Sequence, residues 1–417
     1  MKVMVIGAGI GGLTTALSLH AAGIDTRVYE SAADLKGLGV GINLQPNAVR
    51  ELIELGLGNA LAATAIETAE LGYYNKLGQL IWSEPRGLAA GYAWPQYSVG
   101  RGDLQMILLT AVKERIGAEN VLAGHHLVSF EQDPSGVTAY FIERDGGAHL
   151  PPQRGDILIG CDGIHSAVRA LLYPYEGPPV PSGRIQWRGV VEGEPFLGGR
   201  THVTMGFSDQ RAVVYPISKK AADRGRSRIN WLAVLGGQSA TGERGTWDRK
   251  ASKDRFFHYF KDWNFDWIKF ADLICHTEEV YEYPKEDRDP LSRWSFGRVT
   301  LLGDAAHPML PIGAQAGSQA IVDARVLAFA LATAPTPEQA LDRYEAQRRP
   351  IMNAVTLKNR KFGPAIVMEI AEQRAPNGFD NIEDVITRRE LAEISLAYKV
   401  AAGFDPAGLN QRASLTV

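Results

Sequence analysis

The sequence predicts an α/β chain in which a parallel-sheet domain is interrupted by a second, sheet-rich domain. Three observations carry this. A strand, a glycine-rich turn, a helix and a second strand open the chain between Lys2 and Tyr29. Between about Tyr175 and Pro290 the pattern changes to alternating, aromatic-rich strands. Beyond Arg298 it returns to strands that end in loops opening onto helices.

The chain has 417 residues, enough at roughly 150 residues per domain for two or three domains. Lys plus Arg total 44 against 47 Asp plus Glu, a net charge of -3, and no stretch concentrates positive charge as a nucleic-acid partner would require. Cys161 and Cys275 stand far apart, which excludes a disulfide framework and a CxxC metal or redox site and suits a cytoplasmic setting. No apolar run approaches the ~18 residues of a membrane span, so stable membrane insertion is not expected. No metal site is expected either, and nothing separates a monomer from a homodimer.

Lys2 to Ile6 reads as a buried strand, Ile10 to Ala22 as a helix and Ile24 to Tyr29 as the next strand. The turn between them, Gly7-Ala8-Gly9-Ile10-Gly11-Gly12, with the acid Glu30 closing the second strand, has the parts of a dinucleotide site. Gly7 permits the tight turn, Gly9 lets backbone approach a pyrophosphate and Gly12 allows close helix-to-strand packing. The helix N-terminus offers N–H groups to phosphate. Glu30 can accept from ribose hydroxyls and would repel a 2′-phosphate. The motif alone leaves NAD and FAD both open.

Arg101 stands at the start of a helix whose apolar face is Leu104, Ile107, Leu108, Ala111 and Val112. A cation there suits a shared anion; the alternative is a solvated charge. Asp133-Pro134-Ser135-Gly136 is a hairpin turn between Leu127–Gln132 and Val137–Glu143. The strand from Asp156 to Gly160 delivers Asp162-Gly163, where Asp162 serves a cofactor or caps the helix that follows. Arg184 to Val191, His202 to Phe207, Ala212 to Ile217 and Ile229 to Leu235 alternate as half-buried strands. The basic stretch Lys219 to Arg228 reads as a solvated loop between them.

Arg298 to Leu302 then delivers Gly303-Asp304, followed by Pro311-Ile312-Gly313-Ala314 and a helix from about Ser318 through Leu331. Asp304 can hold a polyol, and the loop can present N–H groups to a ring. His307 reads as a packed histidine, with no carboxylate evident beside it. A helix from Glu338 to Arg349 is expected to end or kink at Pro350, and one amphipathic segment lies near Val385 to Val400.

Together, Gly7 to Gly12 with Glu30, Arg101-Gly102-Asp103-Leu104, Asp162-Gly163 and Gly303-Asp304 resemble the single-component FAD-dependent aromatic hydroxylases of para-hydroxybenzoate hydroxylase type, over about residues 1 to 360. The resemblance implies a Rossmann-like FAD-binding domain at 1-70, 99-174 and 291-360, a substrate domain at 71-98 and 175-290, and a helical extension at 361-417. It assigns Gly7, Gly9 and Gly12 to the pyrophosphate turn and Glu30 to the ribose. Arg101 goes to the phosphates, Asp162 to the flavin and nicotinamide side, Asp304 to the ribityl chain, and Gly313 and Ala314 to the ring.

A closer likeness, to hydroxylases of phenazine biosynthesis, extends to Gly39-Val40-Gly41-Ile42-Asn43-Leu44-Gln45-Pro46, Trp82-Ser83-Glu84-Pro85-Arg86-Gly87, Trp187-Arg188-Gly189 and Asp287-Arg288-Asp289-Pro290-Leu291. That implies a bulky aromatic or heteroaromatic substrate, a carboxylic acid included, with decarboxylation an open alternative. Two departures concern the substrate: Leu310-Pro311-Ile312 with Gln315 differs where the flavin would be covered, and the likeness ends near Lys361.

In such enzymes NADH or NADPH reduces FAD, and O2 adds to it as a C4a-hydroperoxide whose distal oxygen passes to the aromatic ring. The cofactor carries the chemistry, and the protein orients, dries and protects. Pocket candidates are Tyr97, Trp187, Met205, Tyr215, Pro311 and Ile312, with Arg188 facing either a substrate carboxylate or an edge salt bridge. Gly37, Gly39 and Gly41 would free a loop beside a moving flavin or form a tight turn. A halogenase would need a Trp-x-Trp-x-Ile-Pro signature and a disulfide reductase a cysteine pair; neither is present. A flavin-bound binding or regulatory protein and an NAD-dependent dehydrogenase remain as alternatives.

Overall fold

The computed structural model describes residues 1–37, 39–144, 146–237 and 249–417. Its first sheet runs in the order Ser295–Phe296, Val299–Leu301, Ile157–Gly160, Lys2–Ile6, Asp25–Tyr29 and Val121–Leu122. All its pairings are parallel except the one at the Ser295–Phe296 edge. Its apolar strands Lys2–Ile6 and Ile157–Gly160 are buried on both faces, as expected of a parallel sheet covered by helices. Helices Ile10–Ala21 and Ala316–Thr333 pack against each other there. The hairpin at Asp133 to Gly136 forms as its turn chemistry dictates, with the Asp133 carboxylate accepting from the Ser135 N–H at 2.7 Å.

The second sheet has seven strands, ordered Tyr281–Asp287, Val180–Gly193, Ser227–Gly236, Gln210–Pro216, Thr201–Gly206, Glu70–Tyr74 and Leu80–Pro85. Two of them therefore come from the segment just after residue 70. The Lys219 to Arg228 stretch begins as a one-turn helix, Lys219–Ala222, is exposed from Ala222 to Gly225, and ends inside the strand Ser227–Gly236, where Ser227 is buried.

Pro350 does not end its helix, which runs unbroken over Pro337–Arg360. Proline removes one N–H, but Met352, Val355, Thr356 and Asn359 beyond it are buried, and that packing outweighs one lost bond. Asn359 then donates to the carbonyls of Leu310 and Ile312 at 3.1 and 3.2 Å, tying this helix to the loop over the cavity.

The C-terminal segment holds three helices, Ile366–Arg374, Arg388–Ala401 and Pro406–Gln411, where the sequence pattern showed one. The first two share a core with Leu71, Tyr73, Ile81, Leu310 and Ile312. An ionic hub locks the second of them, Arg388–Ala401, to the sheet: the Glu84 carboxylate accepts from Arg86, from Lys399 Nζ at 2.7 Å and from Ser395 Oγ at 2.7 Å. The two cations hold its carboxyl below its usual range against the upward push of burial. Glu84→Gln should destabilise the protein by about 3 kcal/mol, since it strands the buried Arg86 and the half-buried Lys399. Arg374→Gln, at an exposed pair with Glu390, should leave the urea midpoint unmoved. Equal midpoints for both variants would refute the hub.

Candidate functional site

One cavity of about 420 Å³ lies between the two large sheets, roofed in part by Ser395, Tyr398 and Lys399 of the C-terminal helices. On its parallel-sheet side the glycine turn behaves as its spacing requires. Gly7 has φ +104°, and a Cβ there would meet the Cys161 carbonyl oxygen at 2.6 Å. A Cβ at Gly12 would lie 1.9 Å from the Gly7 carbonyl oxygen. At Gly9 nothing lies within 4 Å of the added carbon: its missing side chain opens onto the cavity rather than onto protein.

Glu30 accepts the N–H groups of Ala8 and Ala32, each at 2.8 Å, which fixes its carboxylate beside the turn, outside the cavity lining. Arg101 and Asp304 both line the cavity, with Gly313 and Ala314 beyond them. Burial lifts the Asp304 carboxyl above its usual range, although His307 and Arg101 pull it down. Gly313 and Ala314 both adopt positive φ, +68° and +53°, and a Cβ on Gly313 would strike the Tyr398 ring. The Gln45 side-chain oxygen is buried here without a partner.

Asp162 takes the capping role instead. It accepts from Ser166 Oγ at 2.5 Å and from the N–H groups of Ala167 and Val168 at 2.7 and 3.2 Å. Its neighbours Cys161, Gly163, Ile164 and His165 form the cavity wall. Gly37 and Gly41 serve close approach rather than loop freedom: a Cβ would meet the Gly102 Cα at 2.7 Å and the Tyr215 ring at 2.7 Å. His307 is packed, but it does have a carboxylate beside it. Its Nε2 shares a 2.6 Å hydrogen bond with Asp323, which also binds Arg348 at 2.6 Å.

The seven-stranded sheet supplies the opposite wall, and strand alternation decides which residues reach it. Gln186 and Arg188, His202 and Thr204, and Arg211, Val213 and Tyr215 face the cavity. Trp187 and Met205, expected there, lie on the other face in the second core. Trp187 stacks on Phe256 at 4.8 Å and donates to Glu282 at 2.9 Å. Tyr97 is also displaced, buried in the core of the first domain. Arg188, Tyr215, Pro311 and Ile312 do line the cavity. Arg188 makes no edge salt bridge among the described residues; it donates to the Gly41 carbonyl at 2.7 Å, with its Nε buried and unpartnered.

Two cations on this wall were not anticipated. Arg211 and Lys285 are each 4% exposed, and both line the cavity. Burial and Arg184 bring the Arg211 guanidinium down to about 10, with Tyr73 alone opposing. Burial and the guanidinium groups of Arg211, Arg184 and Arg188 push the Lys285 amine well below its ordinary range. No carboxylate of the described residues offsets either charge. The usable signal was a polar residue at the inward register of a half-buried strand, as in Arg211-x-Val213-x-Tyr215 and Tyr283-x-Lys285. His202, held down at about 3 by burial and by Arg86, is neutral and stacks on Tyr215 at 4.9 Å.

No group of His, Cys, Asp and Glu among the described residues could hold a metal ion, and no described helix is long and apolar enough to cross a membrane.

Residues 1–256 and 270–359 match the family described as FAD binding domain. The phenazine 1,6-dicarboxylic acid hydroxylase of Lysobacter antibioticus is 46% identical over 362 residues, covering 86% of this chain and 89% of that one. The 3-hydroxybenzoate 6-hydroxylase 1 of Aquipseudomonas alcaligenes is 31% identical over 353 residues, covering 83% and 84%. Among solved structures, Klebsiella pneumoniae HpxO complexed with FAD and uric acid superposes with a TM-score of 0.75 at 26% identity, covering 94% of this chain and 96% of that one. The likeness of fold thus continues past residue 360, where the likeness of sequence had stopped. The alternatives of a non-catalytic flavoprotein and an NAD-dependent dehydrogenase do not fit these relatives. The chain belongs to the FAD-dependent aromatic hydroxylases and is an FAD-dependent, NAD(P)H-using aromatic monooxygenase.

Proposed function

We propose that this monooxygenase hydroxylates a planar, multi-ring aromatic carboxylic acid, using O2 and NAD(P)H. The observation that carries the reading is the buried Arg211 guanidinium, facing the cavity without a carboxylate partner among the described residues, with the Lys285 amine on the same wall. A buried unpaired charge costs several kcal/mol, so an anionic guest relieves a cost that Arg211 otherwise bears. The relative named for phenazine 1,6-dicarboxylic acid supports a fused-ring diacid or monoacid.

The residues present fit FAD. Gly9 leaves the space a pyrophosphate needs, and helix Ile10–Ala21 presents its N-terminus there. Arg101 would face the phosphates, Glu30 the ribose, Asp304 the ribityl chain, and the Gly313 and Ala314 loop the ring. When bound, FAD takes two electrons from NAD(P)H and passes one atom of O2 to the substrate, giving Ar–H + NAD(P)H + H⁺ + O2 → Ar–OH + NAD(P)⁺ + H2O. The chain's own work is placement. Arg211 and Lys285 grip the acid; Leu71, Val213 and Leu232 line the chamber with apolar surface; Pro311 and Ile312 would cover the ring and keep water away.

Purified holoenzyme should consume NAD(P)H faster with phenazine-1,6-dicarboxylate or phenazine-1-carboxylate than alone. Product mass would distinguish simple hydroxylation from hydroxylation with loss of carbon dioxide. No stimulation by any aromatic acid would sink the substrate class.

A further inference from the structure

The two buried cations of the chamber differ chemically. Arg211 stays charged in any protein environment, whereas a lysine amine can surrender its proton when desolvated. Lys285 sits on the edge strand Tyr281–Asp287 directly opposite Arg184 in the neighbouring strand. Arg188 on that strand and Arg211 on strand Gln210–Pro216 complete three guanidinium groups acting on it.

Of the acids in the vicinity, Asp287 is held by Arg360 at 2.8 Å and Asp209 by Arg184 at 2.9 Å, and Glu286 has His165 as its neighbour at 3.8 Å. Across the cavity, Glu84 is taken by Arg86 and Lys399. Tyr283, on the same strand, Tyr73, on strand Glu70–Tyr74, Tyr215, on strand Gln210–Pro216, and the neutral His202, on strand Thr201–Gly206, are further titratable groups of this wall. An ammonium 4% exposed among three guanidinium groups, with no carboxylate of the described residues offsetting it, is the charge this wall can most readily shed.

We propose that Lys285 is a conditional charge that selects acidic substrates: it is neutral in the empty chamber and takes up a proton as the substrate carboxylate arrives, while Arg211 supplies the permanent charge. This rests on the carboxylic-acid reading above. Its consequence is linkage. Because acid binding brings a proton with it, affinity falls as pH rises, by about tenfold per pH unit above the amine's free-state titration and below its bound-state titration. An uncharged analogue brings none.

The test compares phenazine-1-carboxylate with its isosteric carboxamide on the holoenzyme, reading affinity from the perturbed flavin spectrum and proton uptake from an indicator dye in weak buffer near pH 8. Wild type should take up close to one proton per acid bound and none with the amide. Lys285→Arg, permanently charged, should bind the acid with no uptake and a flat pH profile. Lys285→Met should weaken the acid by about 30-fold or more while leaving the amide within about threefold, as expected for loss of a charge-assisted contact. Tight acid binding by wild type without proton uptake would overturn the proposal, as would equal weakening of acid and amide in Lys285→Met. If wild type binds neither acid nor amide while retaining flavin, the substrate class itself fails, and this proposal with it.

Discussion

Gly9→Ala is expected to fold normally and lose its flavin. The backbone at Gly9 is extended, with φ −74° and ψ −177°, so alanine adopts it without strain, and the added carbon meets nothing within 4 Å of the protein. The apoprotein should therefore melt within about 2 °C of wild-type apoprotein, as a neutral substitution would. The space it fills is the space the pyrophosphate needs, and FAD should bind about 1,000-fold more weakly. Gly12→Ala makes the contrast. Its methyl would sit 1.9 Å from a backbone oxygen, so strand and helix must part, at a cost of about 1–3 kcal/mol or more. That variant should lose both flavin and several degrees of apoprotein stability. Comparison must be made between flavin-free forms, because bound ligand adds its own stabilisation. Flavin retained by Gly9→Ala at wild-type affinity would place the dinucleotide elsewhere.

The difference between those glycines also shows what one-dimensional information can carry. The turn from Gly7 to Gly12 was legible because strand, turn and helix are contiguous and their spacing alone calls for glycine, even though the atom a Cβ on Gly7 would strike, the Cys161 carbonyl oxygen, belongs to a distant strand end. The same holds for the Asp133 hairpin and for the loops ending at Asp304 and Gly313. The substrate wall was less legible. Places on strands read as inward-facing suggested Trp187 and Met205, yet the register puts both on the outer face, one residue away from Arg188 and Thr204. A slip of one residue exchanges the faces, and hydrophobicity alone cannot tell two buried faces apart.

Three contacts were hidden because their partners are distant in sequence. Asp323 reaches His307 from the next helix. Glu84 joins Lys399 across the molecule. Asn359 holds the 310–312 loop only because the helix continues through Pro350. The C-terminal helices were hard to read for a related reason. Helix Ile366–Arg374 is too short to show a periodic stripe, and it acquires a buried face only by packing on a sheet encoded far upstream.

Arg211→Leu is expected to make the protein more stable and a far poorer enzyme. The guanidinium is buried, lacks a carboxylate partner among the described residues, and has an unsatisfied Nε. Folding therefore bears a desolvation cost that no ion pair repays. Leucine at this inward register would extend the apolar strip of Val213 and Leu232, and the flavin-free protein should gain about 1–3 kcal/mol by analogy with other buried charges replaced by packed apolar groups. Catalysis should move the other way. Removing the permanent cation leaves a desolvated carboxylate without its strongest partner, worth about 3–4 kcal/mol, so kcat/KM for an aromatic acid should fall about 100- to 1,000-fold while that for its amide changes little. The opposite signs are diagnostic. An arginine serving only the fold would lose stability when replaced, and one serving only as a surface charge would change neither quantity. Thermal melts of the apoprotein beside kcat/KM for the acid and amide pair measure both, and a destabilised Arg211→Leu with an undiminished preference for acids would show that the carboxylate is held elsewhere.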